Sequence, residues 1–354
     1  MQKLKVGVVG CGQIAQIMHL PFLAELPQFE IAAVCDISPK VVNTVGEWYG
    51  VQHRCTDYRD MIVRDDIDAI AVLTVEHTEI AEAAAEAGKH LFIEKPLCFD
   101  PAEGDRIVDA ARRNGVKLMV GYMKRYDPGY EYGAAYMQAM ADVRLIRIHD
   151  IGGDNGVHMP LYTLVSGDDI PEAILAEGRA KIQASIEAAL GPDLEHQGDL
   201  YFKLLMLSSH DMTILRGAFG PPEGVLYSDS YSQSEIISVL DYGNRRRCIF
   251  EMGLWPDYRW FNEQMTAYGK DEIVTIAFPN PYVKYAPTLV TTQGSENGAP
   301  HCKEVSVSHQ EAFRLEWLHF YDCITEDREP RTTGIDAKAD VELAREMVRA
   351  LRAT

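Results

Sequence analysis

The chain has 354 residues, 47% hydrophobic and 25% charged, with a formal net charge of −19. That length points to two domains, and the composition is that of an ordinary globular protein rather than a disordered one. The acidic excess argues against nucleic acid or an anionic membrane as partner, and no apolar run reaches the ~18–20 residues of a membrane span.

The opening MQKLKVGVVG enters a strand at once and leaves no room for a signal peptide, so a cytoplasmic location is expected. Residues 4–9 become continuously apolar, as a buried parallel strand does. A helix is expected over 12–24, a strand over 30–36 and a helix over 39–49. Strands follow at 68–74 and 90–96, with a helix at 76–87 between them closed by Gly88. Asp100, Pro101 and Gly115 frame another helix before a strand at 116–122. This alternation predicts a doubly wound parallel α/β sheet of Rossmann type over 1–122. The pattern then changes. A strand at 144–153, helices at 169–190 and 210–220, strand-rich text from 224 to 308 and helices at 309–325 and 336–352 predict an α+β domain, 123–354, with an open antiparallel sheet.

Seven cysteines, at 11, 35, 55, 98, 248, 302 and 323, show no CxxC or zinc-ligand spacing, so reduced, mostly buried thiols and no metal are expected. Arg245, Arg246 and Arg247 follow Gly243-Asn244 and read as a solvated hairpin tip.

The spacing Gly10-x-Gly12-x-x-Ala15 lies between a strand and a helix. The first glycine permits the tight turn, the second lets backbone approach a pyrophosphate, and the small third residue allows close packing. Gln13 and Ile14 continue this loop toward the helix N-terminus, whose N–H groups suit phosphate. Asp36, followed by Ile37, ends the second strand where a carboxylate can accept from ribose hydroxyls and repel a 2′-phosphate. NAD is therefore the expected cofactor. The pair Glu94-Lys95 ends another strand at the carboxyl edge, where a lysine can place a cation beside a carbinol oxygen or relay a proton. Taken alone, such a pair is equally a surface ion pair.

With KVGVVGCGQIA, AEAAAEAGKHLFIEKPLC, MVGYMKRYDPGY, SSHDMTILRGAFG, AFRLEWLHFYDCI and EPRTTGIDAKADVELAR in this order, the chain resembles the glucose–fructose oxidoreductase, inositol dehydrogenase and rhizopine-catabolism (Gfo/Idh/MocA) family. The resemblance implies a dehydrogenase acting on CH–OH groups, with Lys95 beside the reacting hydroxyl and His210 completing the catalytic pair. It also implies cofactor contacts from Thr74, Glu76, His77, Glu94 and Arg125. Two departures stand out. Met206 occupies the position, one helical turn before His210, where many such enzymes carry an aspartate, and TVEH at 74–77 replaces a longer loop. Asp211 is retained, and Asp150 is a candidate substitute acid.

Arg125, Asp150, Asn155, His158 and Asp211 join Lys95 and His210 as candidate substrate contacts. Trp255, Tyr258, Trp260 and Phe261 either stack on a sugar ring or belong to core or interface. The expected substrate is a small cyclic polyol or glycoside, oxidised with NAD either released or recycled; a sensor without turnover is the alternative from another class. A homodimer or homotetramer through the C-terminal sheet is the expected assembly.

Overall fold

The computed structural model describes residues 3–153 and 155–352. The chain forms two compact units, each discontinuous in sequence. The first comprises Met1–Tyr122, Leu161–Ala189 and Phe313–Val341; the second comprises Met123–Pro160, Leu190–Ala312 and Glu342–Thr354.

The first unit is built on six parallel strands, β1 (Leu4–Val9), β2 (Phe29–Cys35), β3 (His53–Cys55), β4 (Ala69–Val72), β5 (His90–Glu94) and β6 (Leu118–Gly121), in the order β3-β2-β1-β4-β5-β6. β4 and β6 are buried at every residue and β5 at all but His90. That accounts for their continuously apolar text. The intervening helices are α1 (Leu20–Glu25), α2 (Pro39–Trp48), α3 (Arg59–Ile62), α4 (Thr78–Glu86) and α5 (Pro101–Arg113). α5 starts with a capping box between Asp100 and Glu103, which satisfies two N-terminal donors reciprocally. The expected 12–24 helix carries a wide π-turn at Ala15–His19 before α1. β3 and α3, too short for a periodicity to show, are additions to the expected pattern.

The second unit opens with α6 (Pro128–Ala139), a helix additional to those expected from the sequence. Asp127 accepts from Tyr130 N at 2.8 Å and Pro128 fills the first turn, so the start signal was present. Its eight strands are β7 (Val143–Gly153), β8 (Gly224–Asp229), β9 (Glu235–Asp241), β10 (Arg247–Trp255), β11 (Asn262–Gly269), β12 (Ile273–Phe278), β13 (Leu289–Glu296) and β14 (Ala299–Ser306). Their order is β14-β13-β12-β11-β7-β10-β9-β8. All neighbours are antiparallel except β7 and β10, which run parallel, so the sheet is mixed rather than purely antiparallel. Gly243, Asn244 and Arg245 take positive φ in the β9–β10 hairpin, as the turn reading required.

α7 (Glu172–Leu190) starts less than one turn after its expected start at 169. α8 (Gly198–Phe219) begins at Gly198 rather than His210, because the apolar periodicity of LYFKLLML extends it upstream. α6 packs on β12 and β13, and α8 on β7 and β10, covering the face that carries Ile146, Ile148, Phe250, Met252, Met265 and Ile276. α9 (Ala312–Thr325) and α10 (Gly334–Arg349) close the chain. All seven cysteines are unbridged thiols; six are buried and Cys302 is exposed.

Candidate functional site

In the first unit, β1, β2, β4 and β5 are parallel, so their C-terminal ends share one edge of the sheet. Gly10 follows β1, Asp36 follows β2, Thr74 stands two residues beyond β4 and Lys95 follows β5. This is the edge at which ligands bind in open α/β sheets.

Gly10 has φ +91°, and a Cβ there would lie 2.8 Å from the backbone of Leu73 and Thr74, so only glycine fits. Gly12 differs: a Cβ on it would meet nothing within 4 Å, which leaves open space for a ligand's close approach. Gln13 is exposed and Ile14 half-buried on the same loop. Asp36 Oδ2 accepts from Cys11 N at 2.8 Å and Oδ1 from Ser38 N at 2.9 Å, which orients the carboxylate. Burial raises its pKa above the ordinary carboxylate value, the two amides oppose that shift, and Asp169 adds to it. Gly12, Gln13, Gln16, Asp36 and Val41 line a cavity of about 310 Å³ whose remaining wall is Leu164–Gly167 with Ile170. These are the donors, glycines and acid that a dinucleotide's pyrophosphate and ribose require. Ile37, 48% exposed, sits at the rim of α2.

Thr74 Oγ1 donates to Glu76 O at 2.5 Å, and Glu76 Oε1 accepts from Thr78 N at 2.8 Å at the start of α4. His77 is buried, its Nε2 2.6 Å from Thr74 O and its Nδ1 3.3 Å from Leu97 O; burial lowers its pKa. Thr74, Glu76 and His77 thus brace their own turn.

Glu94 is held by a network of residues remote in sequence. Trp317 Nε1 donates to His19 Nδ1 at 3.2 Å, and His19 Nε2 meets Glu94 Oε1 at 2.8 Å. Because the indole can only donate, His19 Nδ1 carries no proton; Nε2 carries it and donates to the carboxylate. Glu94 Oε2 accepts from Lys95 N at 3.0 Å. Burial alone would raise the Glu94 pKa; the His19 bond and the neighbouring charges outweigh it and hold the group low. The half-buried Lys95 therefore begins from a backbone fixed by its neighbour. The π-turn that carries His19 was the missing signal.

In the second unit, His210 is half-buried on α8 with Met206 one turn before it. Asp211 is 1% exposed. Asp150, also 1% exposed, stands directly opposite Glu263 in the β7–β11 register. Oxygens of these three carboxylates lie within 4.8 Å of one another, and the Lys124 ammonium ion-pairs with Glu263 among them. Like charges facing each other across a sheet repel, and the lysine offsets that repulsion. Burial, then Glu263 and Asp150, push Asp211 well above the ordinary carboxylate value, while Lys124 pulls the other way. Lys124 lies 5.3 Å from the Phe278 ring centroid and 5.9 Å from that of Phe261. Asp150 and Asp211, expected as substrate contacts, thus form part of a buried charge cluster, and Lys124 and Glu263 were missed because their partners are remote in sequence.

Arg125 Nη1 donates to Thr213 O at 3.1 Å and to Thr213 Oγ1 at 3.3 Å. It ties the 3-10 turn Met123–Tyr126 to α8. His158 is half-buried between two further 3-10 turns, and the side chain of Asn155 lies outside the described residues. Trp255 and Tyr258 pack edge to face at 6.1 Å, and Trp260 is 77% exposed.

Residues 4–122 match the family model described as oxidoreductase family, NAD-binding Rossmann fold. Inositol 2-dehydrogenase of Salmonella typhimurium is 35% identical over 132 residues, 36% of this chain and 39% of that protein. The chain thus aligns with about two fifths of that relative's length. A 3-ketoreductase from Actinomadura kijaniata, solved in complex with NADP, superposes with a TM-score of 0.76 at 18% identity, covering 99% of this chain and 98% of that one. An aldose–aldose oxidoreductase from Caulobacter crescentus, complexed with glycerol, superposes at 0.75 with 21% identity, over 99% and 97% of the two chains. Both are likenesses of fold. Residues 4–122 are thus similar to the NAD-binding Rossmann domain of the Gfo/Idh/MocA oxidoreductase family.

Proposed function

We propose that the protein oxidises a secondary alcohol of a cyclic polyol, sugar or glycoside, with NAD rather than NADP as cofactor. The observation that carries this reading is the row of Asp36, Gly10, Thr74 and Lys95 along one sheet edge, with Glu94 pinned beneath Lys95. When bound there, NAD supplies the hydride acceptor. Gly10 and Gly12 let the loop approach the pyrophosphate, and Asp36 takes the adenosine ribose and disfavours a 2′-phosphate. Lys95 takes up the hydroxyl proton and stabilises negative charge developing on that oxygen, and His210 is the second proton carrier. The name of the inositol 2-dehydrogenase relative supports a polyol as substrate.

The outer face of the second unit's sheet exposes Ile237 and Leu226, which favours assembly of copies through that face. Light scattering on the purified protein distinguishes a dimer or tetramer from a monomer.

One observation favours a second reading. Met206 stands where the resemblance expects an aspartate, as in a protein that keeps the dinucleotide site for sensing. The deciding experiment mixes protein and NAD with a panel of inositols, aldoses and glycosides and follows NADH. Turnover on one class, lost in Lys95→Ala, supports the dehydrogenase; full turnover in Lys95→Ala refutes the assigned chemistry.

A further inference from the structure

The inference concerns cofactor choice and rests on reading the 310 Å³ cavity as the dinucleotide site. α2 begins just beyond Asp36, and its first turn gathers three donors: the Ser38 hydroxyl, the Lys40 amide and the Lys40 ammonium. A helix N-terminus bearing a hydroxyl and a lysine suits a phosphate monoester. In this chain those donors are already engaged by its own carboxylates. Ser38 accepts from Val41 N at 3.0 Å, so its hydroxyl proton is directed outward, onto Asp169 Oδ1. Lys40 N donates to Asp169 Oδ2 at 2.9 Å, and Lys40 Nζ meets Asp168 Oδ1 at 2.7 Å.

The segment that brings these acids is fastened to the glycine loop at a second point. Gln16 Nε2 donates to Val165 O at 3.0 Å, while Val165 N donates to Gln16 Oε1 at 2.9 Å. Gln16 is itself held by Cys11 O at 2.7 Å. The Ser38 bond, then the Lys40 amide, keep Asp169 below the ordinary carboxylate range, so it is ionised, and its charge reaches Asp36.

We infer that Asp169, assisted by Asp168, occupies the cradle in which the 2′-phosphate of NADP would bind, and so sets cofactor specificity together with Asp36. A phosphate there would have to displace Asp169 from Ser38 and Lys40 and then stand beside three carboxylates. NAD, with hydroxyls only, faces neither requirement.

The test is titration of the full chain with NADH and with NADPH, following nucleotide fluorescence. The Asp168→Asn/Asp169→Asn double variant is expected to narrow the preference for NADH over NADPH by about tenfold or more. Asp168→Arg, which leaves the Ser38–Asp169 bond in place, is expected to shift the ratio in the same direction. A variant that merely folds poorly weakens both nucleotides alike and leaves their ratio where it was. An unchanged ratio in both variants, with NADH still bound, overturns the inference and leaves the NAD assignment standing. A wild-type protein that binds NADPH as tightly as NADH overturns that assignment, and the inference with it.

Discussion

Replacing His19 by phenylalanine isolates the polar part of the network behind Lys95. The ring contacts survive the change: His19 meets Phe313, Phe92 and Trp317 edge to face at 5.3, 5.5 and 5.8 Å. What disappears is the proton to Glu94 Oε1 and the acceptor for Trp317 Nε1. His19 donates as a neutral imidazole, so the change removes a hydrogen bond to a charged group and leaves the carboxylate buried without it, at a cost of about 3 kcal/mol. That is a large share of the ~5–15 kcal/mol by which a domain is stable.

The pH dependence identifies the cause. In the wild type Glu94 is held below its ordinary value, so its contribution is present above the unfolded pKa of about 4.3 and is lost as pH falls through the folded value. In His19→Phe burial acts on Glu94 without the His19 bond and raises its pKa. The variant then gains stability as pH falls toward the unfolded value. Urea denaturation from neutral to mildly acidic pH should therefore show a gap between the two proteins that narrows on acidification. Adding Glu94→Gln to His19→Phe should recover part of the loss, since the uncompensated charge is gone. A gap below about 1 kcal/mol at neutral pH, or one that does not change with pH, would refute the argument.

The two loop glycines should fail in different ways. Gly10→Ala meets backbone at 2.8 Å and takes an unfavourable φ, so thermal stability and NADH binding should fall together. Gly12→Ala meets nothing within the chain, so its melting temperature should hold while NADH affinity drops in a binding titration. Lys124→Met strips the cation from Glu263, Asp150 and Asp211 and should destabilise the protein by about 3–5 kcal/mol at neutral pH, the loss shrinking as the acids take up protons. Burial lowers the Lys124 pKa, but Glu263, Asp150 and Asp211 outweigh it and hold the group above its ordinary value. Its own contribution is therefore present below about 10.4 and lost as pH rises through the folded pKa, which alkaline denaturation reads directly.

Local signals carried the reading where neighbours in sequence decide the structure. Gly10, Gly12 and Ala15 announce a turn whose geometry depends on a few consecutive residues, and Asp36 lies one strand away. The sheet of the first unit follows from runs that are apolar throughout because its strands are buried. Long-range partners were silent. Nothing near His19 says that Trp317 will supply its donor, and nothing near Ser38 says that Asp169 will take its hydroxyl proton. Asp150 is expected as a substrate contact from its place near the end of a strand, and Asp211 from the family resemblance. Their burial beside Lys124 depends on β11 placing Glu263 across from Asp150, a pairing across 113 residues that no spacing rule encodes.

Hydride transfer from a polyol carbon to a nucleotide held by this chain is the step proposed above. It is tested most directly by a single-turnover experiment with protein in excess over NAD, each polyol added in turn and bound NADH followed by its fluorescence. This detects reduction whether the cofactor is released or reused. One substrate class is expected to produce bound NADH, and Lys95→Ala to abolish the signal while still binding NAD. Bound NAD that stays oxidised with every polyol would contradict it.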